Sequence, residues 1–212
     1  MNRAIVFLNG DLKGDVEFYH NFLSPTDEIF CADGGAKYAY QLNLIPNLIL
    51  GDLDSISEEV IQFYQEYNVE IRKLPVKKDK SDTELLLELL LTKDYEQLVL
   101  LAALGGRFDH ALSNLYLLEG LFNDKTEIKI ITPNSQIEII KDKKIIDKQS
   151  GTTISLVPLS EKVSGVNLSG FKYELENGSL QRGNTLGLSN IIKDKLAIIE
   201  IKSGTLLLLT NN

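Results

Sequence analysis

The chain has 212 residues, 43% hydrophobic and 25% charged, enough apolar sequence for one large or two small domains without staples. Its formal net charge of −8 argues against a broad surface for nucleic acid or an anionic membrane, while leaving room for a local phosphate pocket. Cys31 is the single cysteine, so no internal disulfide can form and a reducing, cytoplasmic setting is expected.

The opening "MNRAIVFLNG" has too short an apolar stretch for a signal peptide and reads as a strand. No later stretch approaches the length of a membrane span. Up to about residue 135, near-continuous apolar runs ("AIVFLNG", "EIFCADGG", "LILGDLDS", "VEIRKLP", "LVLLAALGG", "EIKIITPN") alternate with helical patterns. The helical stretches are "AKYAYQLN", "SEEVIQFYQEY", "SDTELLLELLL" and "FDHALSNLYLLEG", of which the leucine-rich one is apolar nearly all round and suits a buried helix. This alternation predicts an α/β domain over 1–135, built from crossovers around a mostly parallel sheet covered on both faces. After Asn134 the helical patterns stop. "QIEIIKDKKIID", "GTTISLVPLS", "FKYEL" and "KLAIIEIKSGTLLLLT" read as short strands, predicting a small antiparallel sandwich or barrel over 136–212.

Open parallel sheets bind ligands beyond the carboxyl ends of their strands, and the unusual residues gather there. "CADGGAKYA" ends a strand at Asp33 and turns through Gly34 and Gly35 into a helix. Such a turn either lets backbone amides approach a phosphate or is only a tight strand-to-helix connection. In "GDLDSISEE", an extended backbone would put Asp52 and Asp54 on one side, where they repel unless water or a cation screens them. Ser55 and Glu58 stand at capping-box spacing, which would explain Asp54 but not Asp52. "KKDKSDTELLL" repeats the pattern: Ser81 and Glu84 form a second candidate box, and Asp79 and Asp82 exceed what a cap needs. Hard oxygen donors with only two histidines in the chain point to magnesium, which shares its shell with substrate phosphates. The five cations of "RKLPVKKDK" adjoin this cluster, and one of them could face a phosphate.

In "ALGGRFDHALSNL", Arg107 follows Gly105 and Gly106 where its planar fork could grip phosphate oxygens, and Asp109 and His110 open the next helix. A Cys31–His110 nucleophile pair has little support, because Cys31 sits inside an apolar strand. The collected residues suit carboxylate–magnesium–polyphosphate chemistry, which works by charge neutralisation and alignment.

With these motifs in hand, the chain resembles the thiamine pyrophosphokinase family. "ADGGA", "GDLDS", "DKSDTE" and "GGRFDH" come in the family's order, followed by "GTTISLVPL", "GFKYEL" and "GLSN". The resemblance implies an α/β nucleotide-binding domain, a β-sandwich domain, and a homodimer with active sites between subunits. It implies transfer of the intact diphosphate of ATP to the thiamine hydroxyl, with release of AMP. By the same resemblance, Asp52, Asp54 and Asp82 are the catalytic magnesium carboxylates, with Asp79 nearby. Asp33, Gly34, Gly35, Arg107, His110 and Thr132 belong to the ATP site. Tyr173 offers an aromatic platform to cationic thiamine, with Ser189 and Asn190 bounding that pocket. Some relatives carry Trp at the Tyr173 position, and this chain has none. The rival readings are a magnesium-dependent kinase that moves only the γ-phosphate, and a non-catalytic nucleotide or thiamine sensor.

Overall fold

Strand β1 (Arg3–Phe7) forms from the first apolar run, and a sheet grows outward from it on both sides. The computed structural model describes residues 2–211, and the chain divides into two units, Met1–Pro133 and Asn134–Asn212. In the first unit β1 lies between β2 (Glu28–Ala32) and β5 (Gln97–Leu101). Strands β3 (Leu48–Gly51) and β4 (Glu70–Lys73) continue beyond β2, and β6 (Glu127–Thr132) continues beyond β5. Each neighbouring pair is parallel, with Val6 opposite both Phe30 and Leu100.

Parallel neighbours need crossovers, and helices supply them. They are α1 (Val16–Phe22), α2 (Ala36–Gln41), α3 (Glu58–Glu66), α4 (Asp82–Leu91) and α5 (Phe108–Gly120). Alternating side chains of the strands face opposite layers. Ile5, Phe7, Cys31 and Ile49 pack with Ala36 and Ala39 of α2 and with Val60 and Tyr64 of α3. Helix α4 lies against β2 and β3 and buries Leu86, Leu87 and Leu90 completely, as its all-round apolar pattern requires. Burial also pushes the Cys31 thiol pKa well above its ordinary value, which leaves it inert rather than nucleophilic.

After β4 the chain returns through α4 to the far side of β1, so the strand order reverses between β1 and β5. Crevices at such switch points are where this class of sheet binds ligands.

The second unit contains no helix among the described residues. Its first sheet runs β12 (Asn190–Ile191), β9 (Thr153–Pro158), β14 (Leu206–Asn211), β7 (Ser135–Ile140). The second runs β11 (Leu175–Gln181), β10 (Lys162–Ser169), β13 (Leu196–Glu200), β8 (Lys143–Asp147). Pairing within each sheet is antiparallel. Ile154, Leu156, Leu206 and Leu208 of one sheet share a core with Val163, Leu180, Ala197 and Ile199 of the other, which makes the unit a sandwich rather than a barrel.

Three local readings are corrected. Helix α1 falls in a stretch with no predicted element; Asp15 caps it by accepting from the Phe18 N–H at 2.8 Å, and Tyr19 anchors it in the core. The run "QIEIIKDKKIID" is two strands that serve opposite sheets, β7 against β14 and β8 against β13. The strand expected in "FKYEL" starts only at Leu175, because Phe171 is buried in the sandwich and Lys172–Glu174 bend around it. No helix among the described residues is long and apolar enough to cross a membrane.

Candidate active site

Three strands of the parallel sheet end in a residue whose backbone turns left-handed without being glycine. These are Asp33 after β2 (φ 45°), Leu53 after β3 (φ 68°) and Ala102 after β5 (φ 50°). Each costs about 1–3 kcal/mol and persists because its surroundings fix it, a pattern that concentrates at functional sites. Asp33 is accommodated by Gly51, where a Cβ would come within 2.8 Å of the Asp33 Cα. Beyond Ala102, the buried Asn114 of α5 donates through Nδ2 to the Ala103 carbonyl at 2.8 Å and holds the end of β5 in place.

The turn at Leu53 corrects the extended geometry expected for "GDLDS". Asp52 and Asp54 are brought together by a tight turn in which the Asp54 N–H donates to Asp52 Oδ1 at 3.2 Å. Nor does Ser55 cap the next helix. Ser57 does, accepting from the Val60 N–H at 3.4 Å, while Ser55 Oγ donates to Asp54 Oδ1 at 2.9 Å. The turn and the buried Ile56 use up the residues that a helix starting at Ser55 would need. At the second candidate box the cap forms as expected: Ser81 caps α4, accepting from the Glu84 N–H at 3.1 Å, while the Glu84 carboxylate lies 3.7 Å from Lys80 Nζ.

These ends enclose a cleft of about 560 Å³ whose lining includes Asp33, Asp52, Asp54, Asp79, Asp82, Arg107 and His110. Carboxylate oxygens of Asp33, Asp52 and Asp54 all lie within 4.8 Å of one another. The buried Asp33 Oδ1 has no hydrogen-bond partner, a costly state for a carboxylate oxygen that a cation would relieve. Oxygen-only donors, an orphaned buried oxygen and converging charge fit a hard divalent ion such as magnesium. Asp82, the first residue of α4, belongs to the same electrostatic neighbourhood. Partial burial raises its carboxyl pKa, the Lys78 ammonium opposes that, and the charges of Asp52 and Asp33 add to it. Lys78 Nζ stands 3.1 Å from Asp82 Oδ1, an ion pair without the alignment of a hydrogen bond, so this buried oxygen, like Asp33 Oδ1, has no hydrogen-bond partner.

Arg107 is exposed and forks onto Asp109, through Nε at 3.1 Å and Nη2 at 2.5 Å. That contact holds the Asp109 carboxyl below and the Arg107 guanidinium above their ordinary pKa values. His110 is exposed on the first turn of α5.

Gly34 and Gly35 do not line the cleft. A Cβ on Gly35 would fall on the Phe7 carbonyl and one on Gly34 on the Asn9 side chain, so these glycines let the turn press against the end of β1. Thr132 ends β6, outside the cleft lining. In the second unit, the buried Asn190 clasps the backbone of the exposed Tyr173. Its Oδ1 accepts from the Tyr173 N–H at 3.0 Å, and its Nδ2 donates to the Tyr173 carbonyl at 2.7 Å. Ser189 beside it is left-handed (φ 56°) and donates its N–H to Ser155 Oγ at 3.0 Å. The cleft also includes Asn9 and Asn114, which sequence reasoning passed over. Asn9 was detectable in principle, since it follows the strand that the alternation makes central.

Comparison with known proteins adds an independent line. The family description "Thiamin pyrophosphokinase, catalytic domain" matches residues 19–131, and "Thiamin pyrophosphokinase, vitamin B1 binding domain" matches residues 136–206. Thiamine pyrophosphokinase of Bacillus subtilis is 27% identical over 179 residues, with 84% of either chain covered. Thiamine pyrophosphokinase 2 of Arabidopsis thaliana is 28% identical over 204 residues, covering 83% of this chain and 75% of that one. The crystal structure of the Bacillus subtilis enzyme matches with a TM-score of 0.88 at 26% identity, over 100% of this chain and 99% of that one. The structure from Geobacillus thermodenitrificans matches with a TM-score of 0.85 at 26% identity, over 100% and 98%. With the catalytic-domain description alone spanning more than half of its residues, the chain belongs to the thiamin pyrophosphokinase family.

Proposed function

We propose that the protein is a magnesium-dependent thiamine pyrophosphokinase that moves the intact diphosphate of ATP to the hydroxyl of thiamine, yielding thiamine diphosphate and AMP. One observation carries the reading most directly. At the switch point of the parallel sheet, the cluster of Asp33, Asp52 and Asp54, with an orphaned buried oxygen, shares one cleft with Asp82, Arg107 and His110. Family membership supplies the two substrates.

In this reading Asp52, Asp54 and Asp82 hold magnesium, with Asp79 contributing from the cleft wall. Bound there, the ion would offset the charge of the polyphosphate and so ease approach of a nucleophile. Asp33, Arg107 and His110 meet ATP from the cleft, Gly34 and Gly35 serve that site by shaping the turn that presents Asp33, and Thr132 adds to it from the end of β6. Arg107 exchanges Asp109 for phosphate oxygens, a swap between two partners of the same geometry that its exposure makes easy. Asp52 or Asp54 orients the thiamine hydroxyl toward the β-phosphorus; the hydroxyl oxygen bonds to that phosphorus as its bond to the α–β bridging oxygen breaks, the bridging oxygen leaves with AMP, and the hydroxyl proton passes to solvent. Tyr173 faces the cationic ring of thiamine, and Ser189 and Asn190 bound that pocket. The assembly is a homodimer with its sites between subunits, working in the cytoplasm.

The test is to incubate the protein with thiamine, ATP and magnesium and to identify both products. Thiamine diphosphate and AMP in equal amounts are expected. Thiamine monophosphate with ADP would refute diphosphate transfer, and tight ligand binding without turnover would favour a sensor.

A further inference from the structure

Three lysine or arginine side chains line the cleft, and they are committed in different ways. Lys80 is drawn along α4 to Glu88 and lies 3.7 Å from Glu84. Arg107 is paired with Asp109, and both side chains are largely exposed, at 72% and 63%. Lys78 is paired into the acidic cluster itself. Its Nζ lies 3.1 Å from Asp82 Oδ1, and both side chains are mostly buried, at 16% and 17% exposed. The same Nζ donates to the Pro75 carbonyl at 3.0 Å, which tethers the ammonium to the loop between β4 and α4.

Asp33, Asp52, Asp54, Asp79 and Asp82 bring five carboxylates to one cleft, and Lys78 is the ammonium in contact with one of them. A divalent ion that took the Asp82 carboxylate would displace this ammonium from its partner. The lysine would then stand mostly buried, held only at Pro75, in a cleft that receives a highly charged anion. An ammonium on a four-carbon stem can re-aim without moving the loop that carries it.

We propose that Lys78 is a partner-switching counter-ion: it holds Asp82 while the acidic cluster carries no divalent cation, and turns to a phosphate oxygen of the nucleotide once the cation takes that carboxylate. The inference rests on the reading of the cluster as a magnesium site, and it assigns Lys78 two successive roles with opposite experimental signs.

The full-length protein is titrated with Mn²⁺ alone, followed by electron paramagnetic resonance, and separately with the α,β-methylene analogue of ATP in the presence of magnesium. Lys78→Gln removes the competitor for Asp82, so Mn²⁺ should bind about tenfold tighter. The same variant should bind the ATP analogue about tenfold more weakly. Lys78→Arg, which keeps the charge, should leave both affinities near those of the parent protein. Lys78→Met repeats the neutralisation while keeping most of the stem, which guards against a collapsed loop. If both neutral variants weaken the two ligands together, or leave Mn²⁺ binding unchanged, Lys78 only shapes the loop and the inference is wrong. Asp54→Asn separates the two levels. If it leaves Mn²⁺ affinity intact, the metal reading itself fails; if it abolishes Mn²⁺ binding while Lys78→Gln does not tighten it, only the switching role fails.

Discussion

Asp54 turns its own N–H back onto Asp52 Oδ1 at 3.2 Å, across a Leu53 held in the left-handed region at φ 68°. One hydrogen bond to a charged acceptor offsets part of the repulsion between the two carboxylates, but Asp33 then adds a third within 4.8 Å. Local charge and local backbone therefore both work against stability at this turn. A chain keeps such an arrangement where a ligand relieves it, which connects the geometry of the turn to the proposed metal.

Asp54→Asn tests that connection. The amide keeps the shape and can still accept from Ser55 Oγ, while one negative charge is removed from the cluster. The metal-free variant should be as stable as the parent or slightly more so in urea, and its magnesium-dependent activity should fall by two orders of magnitude or more, roughly the loss of one electrostatic stabiliser. A folded variant that is markedly less stable in urea yet binds magnesium normally would assign Asp54 to the start of α3 rather than to the metal.

The glycine turn yields a prediction about stability. In Gly35→Ala the new methyl falls on the Phe7 carbonyl in the buried centre of the sheet, where the backbone has no room to retreat. Overpacking of this kind should cost about 1–3 kcal/mol, read as a lower urea midpoint. Gly120→Ala is the control. At the last residue of α5 its Cβ meets nothing within 4 Å, so stability should hold or rise by up to about 1 kcal/mol.

The parallel sheet was legible because strands buried on both faces, such as "AIVF" and "LVLL", need no alternation and so stand out as apolar runs. The acidic residues were legible for a different reason: there are more of them at strand ends than helix caps can use. Helix α1 escaped because it is only seven residues long, so its apolar stripe of Phe18, Tyr19 and Phe22 covers barely one turn and does not repeat. The helical stretch "SEEVIQFYQEY" already opens at Ser57, the residue that caps α3; what escaped is the left-handed leucine in "DLDSISEE", whose turn takes Ser55 out of the capping role. Among the cations of "RKLPVKKDK", only three-dimensional packing distinguishes Lys78, turned in toward Asp82, from Lys80, turned along α4. Gly34 and Gly35 illustrate the opposite hazard. Their sequence suggests a phosphate turn, while their backbone is required by contact with β1.

Asn190 offers a test in the second unit. Its amide both accepts from and donates to the backbone of Tyr173, so Asn190→Asp would set a carboxylate oxygen against the Tyr173 carbonyl in a buried position. The substitution should cost about 1–3 kcal/mol of stability, the range for an unsatisfied buried polar group. If Tyr173 carries the thiamine ring, KM for thiamine should rise while KM for ATP stays near its parent value. Equal rises in both would mean that the loop does not act through thiamine.

The final prediction concerns which chains share a site. The carboxylates stand in the first unit and Tyr173 in the second, and the proposed homodimer joins the first unit of one protomer to the second unit of its partner. Asp54→Asn then damages the carboxylate half of a site and Tyr173→Ala its aromatic half. In a two-fold dimer of one variant with the other, one site collects both lesions and the second site collects neither. Random exchange in an equal mixture makes half of the dimers mixed, so roughly a quarter of all sites should be intact. Refolding the two variants together should therefore restore activity that neither shows alone, to about a quarter of the parent protein's. Mass spectrometry under native conditions confirms that mixed dimers have formed. If they have, and activity stays at the average of the two variants, each site is built within one chain and the shared-site reading is wrong.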